Sequence, residues 1–542
     1  MLLHPLCRPA LLAVSLSLAC AAHAQSVPER TNRNRSATDL DAVKVTAERT
    51  HADTGALGDR VLRDTPFAIT AVGREQIEQR QVVSLGEAFL LDPSVTTQVS
   101  AYASGWSSPI RNRGIDLNFD SYRVNGLQVS SWGTEWPLEV MEQVDLLKGP
   151  GGFLYGFGAP GGIVNYITKK PTDTPTFSAQ LGWREQGIVS GGMDVGGRFG
   201  NEQMFGYRFN AFEEKGETFN GGHVDRKVGA LSLDARLSDA LIWTFDGVFQ
   251  SRDLREESPQ YYFRGLTSLP RPIAGNTGNS VPGTYYDTRS SLLSTRLDWQ
   301  INSDWKTSLS YGVTTSWNDV NKIFAYIDSP NGDYDVNVYE LGGKSEWRLA
   351  QAMLQGSFRT GPLQHQVVAG ISHQTGLGWD RPYEWSLIGR ANLYQRHDIR
   401  HDAVGSRMMT RGDETVQQAV FASDTVDLGS GWSVLAGWRY NDYETKGRYH
   451  TYPVTPTYAV MFKPSEAVTL YASYIESLEA GSRVGNNYVN AGDVLDPTLS
   501  KQYEIGAKAE AARWNANVAA FRLERGANID ELTPAGKRLV QD

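Results

Sequence analysis

The sequence predicts an all-β transmembrane barrel behind a small α/β N-terminal domain, and three observations carry that expectation. A secretory leader opens the chain. After it, no apolar stretch is long enough to make a membrane-spanning helix. From residue 173 onward, segments of about ten residues alternate apolar and polar positions, most with aromatic residues near an end, which is the pattern of barrel strands that face lipid on one side only.

The leader is residues 1–24. Arg8 supplies a positive charge, residues 11–18 form a short apolar run, and Ala22-His23-Ala24 is a small-x-small cleavage site, so the mature chain is expected to begin at Gln25. A lipoprotein site at Cys20 is disfavoured by Ser17, where leucine is wanted. Both cysteines, Cys7 and Cys20, fall in the leader, which excludes disulfides, thiol catalysis and thiolate metal sites from the mature chain. Losing Arg8 takes 52 basic residues to 51 against 61 acidic ones, a net charge of −10, and no basic run points to nucleic acid. With 54 glycines, 11% aromatics and a mean hydropathy below zero, composition fits a soluble secreted β-protein as well as a barrel. The strand pattern decides for the barrel.

Residues 25–40 are polar and aperiodic, a linker. Residues 41–47, Asp41-Ala42-Val43-Lys44-Val45-Thr46-Ala47, are a short β-prone heptad. Residues 60–171 form the α/β unit, with strands expected at 67–72, 144–147 and 163–167. Ser84-Leu85-Gly86-Glu87 has the form of a capping box opening a helix, and Asn125-Gly126 between Tyr122-Arg123-Val124 and Leu127-Gln128-Val129 is a strong hairpin signal. Residues 173–542 are the barrel, with about 15 strands and long extracellular loops at 251–289 and 376–414. No fixed-period repeat suggests a solenoid. Residues 156–161 satisfy G-x-G-x-x-G, but a β-like Ile163-Val164-Asn165-Tyr166-Ile167 follows where a nucleotide site needs a helix. His397 and His401 lie in a charged loop and are assigned to loop polarity.

The run VMEQVDLLKGPGGFLYGFGAPGGIVNYITKKP at 140–171 resembles the plug signature of TonB-dependent siderophore receptors. Arg113-Gly114-Ile115 and Arg123-Val124-Asn125-Gly126 resemble its upstream motifs, and Leu470-Tyr471-Ala472-Ser473-Tyr474 and Gln502-Tyr503-Glu504-Ile505-Gly506-Ala507-Lys508 its barrel strands. The resemblance runs from Asp41 to the end of the chain. It implies a plug threaded into a 22-stranded barrel in the Gram-negative outer membrane, held by its lipid, and no catalysis, cofactor or resident metal. It further implies active import of a ferric siderophore, energised by TonB and its inner-membrane complex. By the same resemblance residues 41–47 are the TonB box, an extended segment that adds a strand to its partner. The 16 residues before it leave no room for the signalling domain some relatives carry. Other cargo classes within the family are cobalamin, haem, a nickel or other metal chelate, or a glycan.

The resemblance places the ligand on the plug apex, at 98–109 and 130–137, which makes Tyr102, Trp106, Arg111, Trp132 and Trp136 ligand candidates, with Tyr383 and Trp385 in a long loop. Tyr261, Tyr262 and Trp379 rank behind them. Aromatic faces and a cation suit a partly apolar chelate. It also makes Arg113 and Lys148 the basic plug residues that face the barrel wall, with Glu504 as the wall carboxylate; a second wall glutamate expected in the next strand is absent. Lys148 stands where many relatives carry arginine. At roughly 25 residues per strand, 22 strands would need on the order of 170 residues beyond 542, and Arg538-Leu539-Val540-Gln541-Asp542 is not the aromatic ending usual in the family. The chain is therefore expected to stop before its barrel is complete, leaving a non-functional remnant as the alternative to a transporter.

Overall fold

The computed structural model describes residues 51–53, 55–99, 102, 108–130, 135–184, 187–405, 408–511 and 514–541. The leader, the linker, the heptad 41–47, Trp106 and Trp132 lie outside the described residues.

The N-terminal unit is built on a five-stranded sheet in the order Ile69–Gly73, Met141–Lys148, Gly162–Thr168, Tyr122–Val124, Leu127–Val129. Asn125 and Gly126 both have positive φ, 50° and 79°, the conformation a two-residue hairpin turn requires, and Tyr122–Val124 folds back on Leu127–Val129 in register. Ser84 caps the helix Leu85–Ala88 by accepting from the Glu87 amide at 3.3 Å, while Glu87 accepts from the Val83 amide at 2.9 Å. This helix is a single turn. The G-x-G-x-x-G stretch leads into the strand Gly162–Thr168 and not into a helix. Strand faces rich in valine, leucine and tyrosine make the core, which includes Tyr122, Val144, Leu146, Val164 and Tyr166, and wall residues Phe212, Val228, Val248 and Leu292 pack against it.

Around this plug runs a 17-stranded sheet from Thr176–Arg184 to Trp514–Arg525. Two of its strands, Gln260–Phe263 and Tyr449–Thr451, are short and were not expected; the long ones agree with the expected number. Neighbouring long strands pair antiparallel, with tight connections at one end (361–362, 430–431, 466–467) and longer ones at the other (256–284, 393–409, 480–497), the periplasmic and extracellular ends of a barrel respectively. Large apolar side chains such as Leu293, Leu309, Ile371 and Val420 are exposed on the outer face, as a lipid-facing surface requires. The inner face carries the polar partners of the plug. No helix among the described residues is long and apolar enough to cross a membrane.

The expected loops at 251–289 and 376–414 are only partly loops. Leu241–Arg255 and Tyr285–Gln300 run into the first, and Leu363–Asn392 carries a strand deep into the second. Pro382 sits in the bulge between the pairs Glu340↔Glu384 and Gly342↔Arg381, where the ladder asks for no amide hydrogen.

Candidate functional site

Strands Trp305–Ile327, Asp333–Thr360 and Leu363–Asn392 are the longest of the wall and form a three-stranded extension at the extracellular end. Directly opposed residues share a face. Ile323, Ala325, Ile327, Tyr334, Val336 and Val338 lie on its outer face and pack under Val281 and Leu393 of the neighbouring segments. The alternate residues make the inner face, where Val320 and Leu341 pack with Tyr102 of the plug. That contact identifies the inner face as the one that looks onto the plug apex.

Aromatic rings line this inner face in a ladder. Tyr262 stacks on Tyr326 at 5.4 Å and on Phe324 at 5.7 Å; Phe324 meets Tyr339 edge-on at 4.6 Å, and Tyr339 meets Trp385 at 6.4 Å. The hydroxyls of Tyr326 and Tyr339 are 3.0 Å apart, and the Arg264 guanidinium lies 3.7 Å from the Tyr326 ring centroid. Trp385 is 50% exposed and Tyr383, two residues away, 70%. A row of flat apolar faces with a guanidinium at one end can stack on a partly apolar chelate and orient its charge.

The plug residues proposed from sequence are placed differently. Tyr102 is buried and donates to Glu214 at 3.1 Å; burial, followed by the Glu214 charge, holds its phenol above the ordinary range. Trp136 is 2% exposed and belongs to the plug core. Neither offers a free ring, so the expectation that both stack on a ligand is corrected: at these two positions the apolar surface is already used for packing. Arg111 is exposed and grips Asp116 in a bidentate pair at 2.9 and 3.2 Å, chiefly responsible for holding the Asp116 carboxyl below its usual pKa. Of the seven proposed contacts, the ladder includes Trp385, with Tyr383 beside it. Sequence reasoning missed Tyr326, Tyr339 and Arg264, and ranked Tyr262 low. The signal available was the two-residue spacing of the rings in Phe324-Ala325-Tyr326.

Plug and wall meet at a buried carboxylate. The turn Arg113-Gly114 joins Ile110–Asn112 to Ile115–Asp116 with φ of 53° and 78°, and it aims the Arg113 guanidinium at the wall, 2.7 Å from Glu504. Glu504 also accepts from the Ala68 amide at 2.9 Å, the Tyr471 hydroxyl at 2.7 Å and Gln502 at 3.3 Å. Lys148 does not face a wall carboxylate. Its Nζ lies 2.6 Å from Asp92 within the plug, a compact ammonium at the strand end pairing with the buried acid beside it. Burial alone would raise the Asp92 pKa, but the bonds from Lys148, Thr70 and Ser94 outweigh it and hold the carboxyl below its ordinary value. Closer to the plug N-terminus, wall residue Lys508 donates from Nζ to the carbonyls of Leu62 and Thr65 and to Thr65 Oγ1, each at 2.7 Å.

Known proteins share this architecture. The profile described as "TonB dependent receptor-like, beta-barrel" matches residues 231–533, and "TonB-dependent Receptor Plug Domain" matches 61–163. The ferrichrome receptor FcuA of Yersinia enterocolitica is 24% identical over 504 residues, which cover 87% of this chain and 65% of the relative. The metal-pseudopaline receptor CntO of Pseudomonas aeruginosa is 24% identical over 421 residues, covering 71% of this chain and 57% of CntO. Among solved structures, BauA, the ferric preacinetobactin receptor of Acinetobacter baumannii, superposes with a TM-score of 0.80 at 22% identity, covering 91% of this chain and 76% of BauA. The chain thus spans 65% and 57% of the length of these two relatives, less than two thirds of either. Members of the matched family are non-enzymatic transporters of the Gram-negative outer membrane. By its plug and its wall alike, the chain belongs to the TonB-dependent receptor family.

Proposed function

We propose that the whole protein is an outer-membrane receptor that imports a ferric siderophore, with energy delivered through TonB. The aromatic ladder carries this reading: Tyr262, Tyr326, Tyr339 and Trp385, with Arg264, form a stacking surface above the plug. Relatives whose names are those of ferrichrome and preacinetobactin receptors support iron chelates as cargo. A chelate of another metal is the second reading, favoured by the metal-pseudopaline receptor at the same identity as the ferrichrome receptor. In operation the chelate would dock on the ladder, TonB would engage residues 41–47, and a pull there would disturb the plug. Force entering at that end meets first residues 56–60, where Ala56 and Leu57 pack with wall residues and Arg60 donates to Thr425 at 3.0 Å, and then the turn at 62–65, which Lys508 holds to the wall.

Coupling and cargo are tested together. In Val43→Pro the heptad loses an amide donor and cannot add a strand to its partner. Uptake of ferric chelate is expected to vanish while surface binding persists; unchanged uptake overturns the placement of the box. Tryptophan quenching on titration with ferric hydroxamates, ferric catecholates, and nickel and zinc chelates then assigns the cargo. Quenching by the non-ferric chelates alone overturns the siderophore reading.

A further inference from the structure

We propose that Arg123 of the plug and Arg439 of the wall form an oxyanion-binding site at the plug–wall interface, taking a phosphate or carboxylate group. Arg123 lies on the strand Tyr122–Val124 and Arg439 on Trp432–Thr445. Both line one cavity of about 470 Å3 between plug and wall, room for an oxyanion with water. Both are buried, and their charges repel across it.

What distinguishes these two cations is the neutrality of their partners. Arg123 donates to the carbonyl of Tyr122 at 2.8 Å and to that of Asp120, and it lies 5.6 Å from the Tyr155 ring centroid. Arg439 donates from Nε to Asn441 Oδ1 at 2.9 Å and to Ser372 Oγ at 3.2 Å, and lies 5.2 Å from the Phe421 ring centroid. Neither has a carboxylate within ion-pairing distance among the described residues; the Asp120 side chain acts on Arg123 only from farther away. Of the other cations lining the cavity, Lys170 is matched by Asp246 and Arg296 by Asp298. Burial pulls the Arg123 pKa down to about 10, which leaves it charged at neutral pH.

A third donor lies beside Arg439. Asn441 Oδ1 accepts from both Arg439 and Gln417, the latter at 3.0 Å, which fixes the amide, and Asn441 Nδ2 is then buried without a partner. Two buried like charges lining one space, beside an unpaired donor, are costly unless an anion answers them. Guanidinium groups recognise planar or tetrahedral oxyanions with paired hydrogen bonds. The site does not depend on which cargo the receptor carries.

Purified receptor is to be melted in phosphate and in chloride at equal ionic strength and pH, with inorganic phosphate as the probe and no chelate present. Wild type is expected to melt higher in phosphate and to broaden the 31P resonance of the free ion. Arg439→Gln should lose both effects. Asn441→Asp places a carboxylate against Arg439, so it should melt higher than wild type in chloride and no longer respond to phosphate, a result that misfolding cannot imitate. Equal melting of wild type in the two salts, or an undiminished response in both variants, overturns the site. Uptake by Asn441→Asp separates the sources: slowed uptake with intact surface binding means that an anionic group of the cargo uses the site in passage, and unchanged uptake means that a resident free anion does.

Discussion

Asp92 and Trp136 show how a single side chain can be recognisable in type and hidden in role. Nothing around Asp92 in the sequence marks it as the partner of Lys148; the two meet only because the sheet brings the end of Met141–Lys148 over the 92–94 turn. The Asp92 carboxyl has a depressed pKa in the folded plug, so its contribution is complete above the unfolded value of about 3.9 and is lost as pH falls below it. Asp92→Asn should therefore destabilise the plug by about 3 kcal/mol at pH 7, since it leaves a buried ammonium unanswered, and the loss of stability on acidification below about pH 4 should become shallower than in wild type. Denaturant titration at pH 3, 5 and 7 checks both, and parallel pH curves would remove Asp92 from the account. Tryptophans behave alike in sequence and differ in the fold. Trp136→Ala should cost plug stability by about 3–5 kcal/mol. Trp385→Ala should leave melting unchanged and weaken chelate binding by about 1–3 kcal/mol, roughly ten- to hundredfold. Equal binding by Trp385→Ala, measured by ligand titration, would take the ladder out of the recognition surface.

Local grammar was most legible at the level of elements. The Asn125-Gly126 hairpin, the Ser84 cap and the plug strands around residues 145 and 165 each follow from a short-range rule, and each forms. The extracellular extension was illegible for a physical reason. Both faces of Trp305–Ile327 and Asp333–Thr360 are covered there, so their apolar residues do not alternate cleanly, and charges such as Glu340 and Arg381 sit buried within the extension. Glu340 anchors the returning segment: it accepts from His401 Nε2 at 2.9 Å and from the amides of Val404 and Gly405 at 3.0 and 2.7 Å. Glu340→Ala should free that segment. Amide exchange at residues 404 and 405 is expected to speed up about tenfold or more, matching the loss of bonds worth about 1–3 kcal/mol each to a charged acceptor, while exchange in the wall strand Trp432–Thr445 stays as it was. Unaltered exchange at both amides would show the segment to be held by its apolar contacts alone.

At the scale of the whole molecule, the division into a plug and a surrounding sheet was evident from composition and period, and the inside-out character of the sheet is what lipid demands. Leu293 and Ser294 are neighbours on Tyr285–Gln300; the first is exposed on the outer face, and the second lines the plug–wall cavity. Leu293→Arg should lower the stability of the receptor folded in bilayers by about 2–4 kcal/mol, the cost of a charge on the lipid face. Ser294→Arg, opposite Asp246, should cost far less. Urea titrations of receptor refolded into vesicles test the contrast, and equal penalties would mean that the outer face does not meet lipid. What composition and period could not convey is the fit between the two parts. In the plug turn Gly152–Tyr155, a methyl group on Gly152 would lie 2.6 Å from the carbonyl oxygen of Glu476 and 2.8 Å from the Ser477 Cα, and one on Gly149 would strike Gln502. At Gly152 the bare backbone of the plug rests against the wall with no Cβ between them. Such a joint has almost no clearance: it can be opened by drawing the surfaces apart or by unravelling one of them, but it cannot slide.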